Sequence, residues 1–276
     1  MDLITALGII ALSVLAGVVG SMLGLGGGVV IIPSLVLVFG LPMQQAVGAS
    51  LVGVIATSTG AACHYVQEGL CNVRLGMVLE TATALGSSAG AALAIYANEG
   101  VLALIFSLLL IYSAVYMLRG FVSGRYGGRE WPSMSGDYRD GFSGERVTYI
   151  PRRLPMGMLA SFFAGSMSGM LGIGGGSVKV PVMHGWMGIP MKAAAATSNF
   201  MIGVTALAGA VVYYSQGIIS PVITALVAVG VFAGAVAGSR VTAGVRPGSV
   251  RVAFALVLLA LAFLMILGST GVMEAI

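Results

Sequence analysis

Charge is scarce in this chain, as are cysteine and histidine. Asp, Glu, Lys and Arg make up only 8% of its 276 residues, and there are two cysteines and two histidines. A water-soluble globule carries about a quarter of its residues charged, so that class is excluded. Cys63 and Cys71, eight positions apart, fit neither a CxxC redox pair nor a zinc site and read as small buried thiols. With two histidines and no HExxH, a metal hydrolase has no basis. Gly165-Ser166-Met167-Ser168-Gly169 is not a GxSxG elbow, because Met167 stands where the nucleophile belongs. No ATPase motif occurs, and the glycine clusters miss the dinucleotide fingerprint, which needs glycine where Val29 and Ser177 stand. The sequence is therefore read as a non-enzyme without cofactor or metal.

The balance of +4 is not a nucleic-acid signal, because the arginines are dispersed between apolar segments and act first as topology determinants. Those segments dominate: 58% of residues are apolar and the mean hydropathy is +1.03. Charge-free stretches run over 3–40, 45–66, 81–97, 100–118, 154–178, 193–239 and 252–273. Each is close to or beyond the roughly 20 residues a membrane span requires. Helices are expected, since a lipid-exposed backbone must satisfy its own hydrogen bonds and the alternation of a barrel is missing. Met1-Asp2-Leu3 offers no positive leader region, so the first segment reads as a retained helix.

The second feature is duplication. Met22-Leu23-Gly24-Leu25-Gly26-Gly27-Gly28-Val29 returns as Met170-Leu171-Gly172-Ile173-Gly174-Gly175-Gly176-Ser177, identical at six of eight positions. The same offset of 148 carries Gly17 onto Gly165, Pro33 onto Pro181, Ser50 onto Ser198, Thr57 onto Thr205, and Gly86 and Gly90 onto Gly234 and Gly238. Repeats broken by Gly and Pro at matching places are the mark of a secondary transporter with its site between them. The expected organisation is a first membrane repeat over 1–120, a polar linker over 121–156 and a second repeat over 157–276.

Charge placement sets the topology. If residues 3–40 crossed once, the linker and the loop with Arg240, Arg246 and Arg251 would face opposite sides, against the positive-inside bias. A hairpin turning around Gly24 to Gly28 instead puts Arg74, the linker, Lys192 and that loop on one side, and Asp2, Glu99 and Glu274 on the other. The expectation is thus an all-α polytopic protein of the inner cell membrane, linker cytoplasmic and both termini outside. Its two inverted repeats would each be a glycine-tipped broken helix or re-entrant hairpin followed by three spans. Val29 to Phe39 and Val178 to Met187 are the expected re-entrant limbs, each about half the hydrocarbon thickness. The linker, with Trp131, Tyr138 and Tyr149 at headgroup depth, is expected to pack little.

Consecutive glycines let a backbone turn tightly and approach a ligand closely, and a helix that starts there offers free N–H groups to an anion. Gly26, Gly27 and Gly28 and their counterparts Gly174, Gly175 and Gly176 are the candidate site, whereas Gly20-x-x-x-Gly24 and Gly165-x-x-x-Gly169 read as close helix packing. Lys179, three residues past the second tip where the first repeat has Ile31, is too costly in a bilayer to lack an anionic partner or a cavity. Ser50, Thr57, Ser177, Ser198 and Asn199 add donors, with intrahelical bonding the competing role for the hydroxyls. Glu80 and His64 are candidates for proton coupling, Glu80 having Arg74 as an alternative partner.

These residues resemble the sulfite exporter TauE/SafE family, of the 4-toluene sulfonate uptake permease type, in which each half carries G-x-x-x-G-x-x-G-x-G-G-G ahead of a proline. The corresponding segments here are Gly20 to Gly28 with Pro33, and Gly169 to Gly176 with Pro181. The resemblance covers both halves and omits the linker. It implies export, or in some members uptake, of sulfite, thiosulfate, sulfoacetate or related sulfur anions across the cell membrane. The partners implied are a small inorganic or organosulfur anion and the lipid bilayer, not nucleic acid, with a homo-oligomer left open. An anion channel and an uptake permease are the competing readings.

Overall fold

A computed structural model describes residues 2–23, 26–119, 129–139, 145–241 and 247–269. The first half forms α1 (Leu3–Leu23), α2 (Gly28–Pro33), α3 (Met43–Gln67), α4 (Val73–Tyr96) and α5 (Glu99–Arg119). The second forms α6 (Leu154–Leu171), α7 (Gly176–Gly185), α8 (Met191–Ser215), α9 (Pro221–Val241) and α10 (Pro247–Ser269). Seven of these, α1, α3, α4, α5, α6, α8 and α9, are long and apolar enough to cross a membrane, and α10 is apolar over Ala255–Gly268. Leu85, Phe163, Leu207 and Val229 point outward, each more than half exposed, while Ser87, Thr83, Thr197 and Ser198 are fully buried. An apolar outside around a partly polar inside suits lipid, not water.

Each half is the expected hairpin plus three long helices. The short limbs are α2 and α7, the second starting at Gly176, two residues before the expected boundary. Pro33 explains how the first limb ends. Lacking an N–H, it cannot continue the ladder, and the chain widens into a π-helical turn over Ser34–Val38. The Ser34 hydroxyl donates to the Val30 carbonyl at 2.8 Å, satisfying an acceptor beside the break.

The halves interlock instead of lying side by side. α1 runs along α9 and α6 along α4; α3 also meets α9 and α8 meets α4; α3 pairs with α8 and α5 with α10. Exchanging the halves leaves this set of pairings unchanged. The correspondence reaches single residues. A Cβ on Gly17 would strike the backbone of Val231 and one on Gly165 that of Thr83, while Gly234 against Val14 repeats Gly86 against Phe162, and Gly238 against Val18 repeats Gly90 against Ser166. In every pair both members are related by the 148-residue offset. Small residues thus bring helix backbones into direct contact. Gly169 packs on Ser87 in the same way and Gly20 on Gly27; Gly24 lies outside the described residues.

The linker departs from expectation. Gly136–Arg139 (β1) and Arg146–Tyr149 (β2) pair as an antiparallel hairpin, with Gly136 opposite Tyr149 and Arg139 opposite Arg146. Tyr138 and Tyr149 turn inward and join Leu75, Leu79, Leu154, Val180, Met183 and Met187 in a second apolar cluster. Asn72 stitches it down: Oδ1 accepts from the Leu75 N–H and caps α4, Nδ2 donates to the Met134 carbonyl, and its own N–H donates to the Thr197 hydroxyl, each at 3.0 Å. Arg74 donates to the Ser133 carbonyl and the Arg152 N–H to the Met187 carbonyl. A segment that looked like a solvated connector therefore caps the ends of α4, α7 and α8. Its composition concealed this, because the inward face is a scattered set, Tyr138 and Tyr149 with Trp131, Met134 and Val147 beside them.

Cys71 lies beneath this cap. Burial pushes its thiol up to about 11, against a Thr197 hydrogen bond that pulls it down, and the ionised Tyr149 and Cys71 would repel one another. Alkylation of Cys71 in a Cys63→Ser background should therefore be slow near neutral pH and accelerate about tenfold per pH unit as the thiolate forms. Tyr149→Ala should undock the hairpin and speed the reaction at neutral pH; an unchanged rate would mean that the hairpin does not shield the thiol.

Candidate functional site

The two glycine tips meet. Gly26 and Gly27 have φ of +77° and +75°, and Gly174 and Gly175 of +80° and +73°, a region in which a Cβ is strained. A Cβ on Gly26 would lie 3.2 Å from Val54 and 3.5 Å from Ile202, and one on Gly174 2.7 Å from Ile202 and 2.9 Å from Val54. Val54 and Ile202 are equivalent positions, so one apolar pair on α3 and α8 is shared by both tips. Gly28 in turn faces the Gly172 carbonyl and Ser50.

Helical spacing places Ser50, Val54 and Thr57 on one face of α3 and Ser198, Ile202 and Thr205 on the matching face of α8. In the first half the hydroxyls are spent on backbone. Ser50 donates to the Gly172 carbonyl at 2.9 Å, and Thr57 reaches the carbonyls of Gly26 at 3.1 Å and Val54 at 2.9 Å. These two residues hold the tips; they are not free anion donors.

The second half is chemically different. The Lys179 ammonium donates to the Thr205 hydroxyl at 2.6 Å, and that hydroxyl faces Glu80 Oε1 at 2.7 Å and the Met201 carbonyl at 3.0 Å. Glu80 Oε2 lies 3.8 Å from the ammonium, with the two side chains 7% and 1% exposed. Lys179 thus does not snorkel to the surface, and Glu80 pairs with it and not with Arg74. At the positions related to Lys179, Thr205 and Glu80 by the offset stand Ile31, Thr57 and Ala228. Only the threonine is common.

Beside this triad are donors without partners. The hydroxyls of Ser168, Ser177 and Ser198 are buried and have no hydrogen-bond partner, and neither does Glu80 Oε2. Ser177 stands in the first turn of α7, where helix N–H groups precede the intrahelical ladder. Ser168 lies against Gly175, and so does the stem of Lys179: a Cβ on Gly175 would be 3.3 Å from each. Ser168 was not a sequence candidate. Its counterpart is Gly20, so position 168, like 179 and 80, is polar in one copy of the repeat only, but so are Thr83, Ser87 and Asn199, and sequence alone does not single it out. Asn199 is buried, and its carbonyl accepts from Ser58. His64 lies on α3, but its side chain is outside the described residues.

A duplicated bundle of apolar spans, with broken helices meeting around a buried ion pair, is the architecture of a polytopic membrane transporter. The chain belongs to the family described as Sulfite exporter TauE/SafE, whose profile matches residues 9–265. Probable membrane transporter protein YunE of Bacillus subtilis is 30% identical over 76% of this chain and 78% of its own length. Probable membrane transporter protein YdhB of the same organism is 27% identical over 85% and 89%. A probable membrane transporter protein of Methanocaldococcus jannaschii is 23% identical over 94% of both chains. No solved structure matches the chain.

The tip geometry is testable through stability. Gly174→Ala adds a Cβ at positive φ that also meets Ile202 and Val54, whereas Gly185 has open space around it. The strain of the backbone alone is about 1–2 kcal/mol. Gly174→Ala should therefore lower the melting temperature of the detergent-solubilised protein clearly, and Gly185→Ala should leave it near the parent value. Equal melting of both variants would contradict the left-handed tip.

Proposed function

We propose that the protein is a secondary carrier that exports small sulfur-containing oxyanions, such as sulfite, thiosulfate or an organosulfonate like sulfoacetate, by alternating access across the inner cell membrane. The observation that carries this reading is Lys179. It is a buried cation beside a glycine tip, with the unpartnered hydroxyls of Ser168, Ser177 and Ser198 in the same half. Backbone N–H groups at Gly174, Gly175 and Gly176, those hydroxyls and one ammonium suit an oxyanion, and the tip at Gly26, Gly27 and Gly28 with Asn199 completes the proposed enclosure. Such donors read oxyanion shape broadly, which fits a family acting on several sulfur anions.

In this reading the repeats are inverted, the linker faces the cytoplasm and both termini face outward, as the arginine partition suggests. Alternating access is supported by the exchangeable pairing of the halves, in which each helix contact of one half has its counterpart in the other. Val54 and Ile202 between the tips favour a carrier over an open channel, because an apolar constriction excludes hydrated ions. The inside-negative potential supplies roughly 2.3 kcal/mol per 100 mV for each negative charge leaving, which favours export over uptake.

Counterflow in proteoliposomes tests the reading: labelled sulfite uptake driven by internal unlabelled sulfite, thiosulfate or sulfoacetate, with chloride as control. Saturable exchange is expected, at least tenfold weaker in Lys179→Ala and abolished in Gly175→Leu, which forces a side chain against Lys179 and Ser168. Equal leakage of all anions would indicate a channel, and full exchange by Lys179→Ala would remove Lys179 from the site.

A further inference from the structure

We infer that Glu80 is a built-in anion that holds Lys179 between turnovers, so that a transported anion takes its place only as Glu80 binds a proton, and each anion crosses with that proton. The inference deepens the carrier reading and rests on it.

The geometry is that of an incomplete pair. Glu80 Oε2 is 3.8 Å from the Lys179 ammonium, beyond hydrogen-bond distance, and has no hydrogen-bond partner, while Oε1 accepts from the Thr205 hydroxyl. That hydroxyl has one proton. Accepting a bond from Lys179 at 2.6 Å, it can donate its own hydrogen to Glu80 Oε1 at 2.7 Å without giving up the proton, an arrangement that suits an ionised carboxylate at the far end. The ammonium keeps further N–H donors beyond this bond. A carboxylate optimised for structure would take them directly, whereas Glu80 Oε2 stands 3.8 Å from the ammonium.

Charge counting then decides the coupling. Lys179 and Glu80 are the only buried charged side chains among the described residues, and they cancel. An anion arriving beside Lys179 would leave a net negative charge in a low-dielectric interior, where an uncompensated charge is strongly unfavourable. A proton on Glu80 removes the excess and frees the ammonium. The proton comes from the side on which the anion enters, rests on the carboxylate, and departs on the other side as Glu80 returns to Lys179. A monoanion then moves with no net charge, whereas a dianion such as thiosulfate still carries one net negative charge outward with the inside-negative potential.

Few other groups could take that part. From α7 Lys179 faces Glu80 and from α8 Thr205 does; α6, packed along α4, contains no titratable side chain. On α8, Lys192 lies thirteen residues before Thr205, about 20 Å along the helix, and the Tyr213 hydroxyl points to the Met170 carbonyl. From α7, His184 Nδ1 is engaged at the Ile189 carbonyl. On α4 itself Arg74 is bound to Ser133. His64 on α3, a helix that touches α4 lightly, remains the competing proton carrier.

The test uses full-length protein in proteoliposomes, a trapped pH indicator and thiosulfate, whose charge does not change over the working pH range. Downhill thiosulfate flux by the parent protein is expected to carry protons with it, and counterflow affinity to fall by up to tenfold per pH unit as pH rises, because the anion needs Glu80 protonated. Glu80→Gln should keep counterflow, lose proton movement and flatten the pH profile to less than about twofold per unit. Parent flux without proton movement overturns the inference, with no variant needed. So does proton movement retained in Glu80→Gln, a folded Glu80→Gln that no longer exchanges anion, or proton movement lost in His64→Gln and kept in Glu80→Gln. If Glu80→Gln fails to fold, Glu80→Asp should keep proton movement with a displaced pH midpoint, and an undisplaced one overturns the proposal. A parent protein that shows no counterflow of any sulfur anion fails the carrier reading itself, a separate result.

Discussion

A helix broken inside a bilayer exposes backbone groups that no water can satisfy, and the molecule is arranged around answering them. The Gly26 carbonyl is met by Thr57 and the Gly172 carbonyl by Ser50, both from α3. Each bond fixes a tip to a neighbouring helix, so that the tips cannot drift without losing partners in a medium that offers no substitutes. The second bond also crosses between repeats, since Ser50 of the first half holds the tip of the second. Glycines also bring α1 against α9 and α4 against α6. The meeting point of the tips is thus set by backbone requirements before any charged residue is considered.

On that near-symmetric frame the chemistry is placed asymmetrically. Duplication gives both halves the same turns, the same proline and the same threonine, but Lys179, Glu80 and Ser168 have Ile31, Ala228 and Gly20 as counterparts. A second lysine and glutamate at the related positions would double the desolvation cost. The single pair concentrates charge beside the second tip, while the first tip is lined by the apolar Val54 and followed by Ile31.

The helices and the duplication were readable from sequence because lipid permits few structures and apolar length reports spans directly. Lys179 was readable because a lone charge deep in a hydrophobic stretch needs a reason. What sequence left open was pairing: Glu80 is 99 positions from Lys179, and nothing in local spacing distinguishes it from a partner for Arg74, six positions away. Ser168 and the roles of Ser50 and Thr57 were hidden for the same reason, since a hydroxyl's partner is decided by helix rotation and depth. The linker misled for a different one. Its Gly, Ser and Arg content describes its solvent side, and the apolar residues that anchor it are too scattered to register as a pattern.

The residues of the charged site also indicate which parts must move together. Glu80 comes from α4, Ser168 from α6, Lys179 from α7 and Thr205 from α8. Although α4 belongs to the first repeat in sequence, it packs along α6 and α8, while α9 of the second repeat packs along α1 and α3. On the proposed carrier mechanism, a rocking that preserves the triad would carry α4 with α6, α7 and α8, so its moving units would not be the sequence repeats. The packing itself groups α4 with α6 and α8, and α9 with α1 and α3, with α3 and α8 in contact between the two groups. The cap formed by β1 and β2 shares one apolar cluster with Leu75 of α4, Val180 of α7 and Ala194 of α8, and Asn72, which caps α4, donates to the Met134 carbonyl. The linker joining the repeats therefore packs on the three helices that supply Glu80, Lys179 and Thr205.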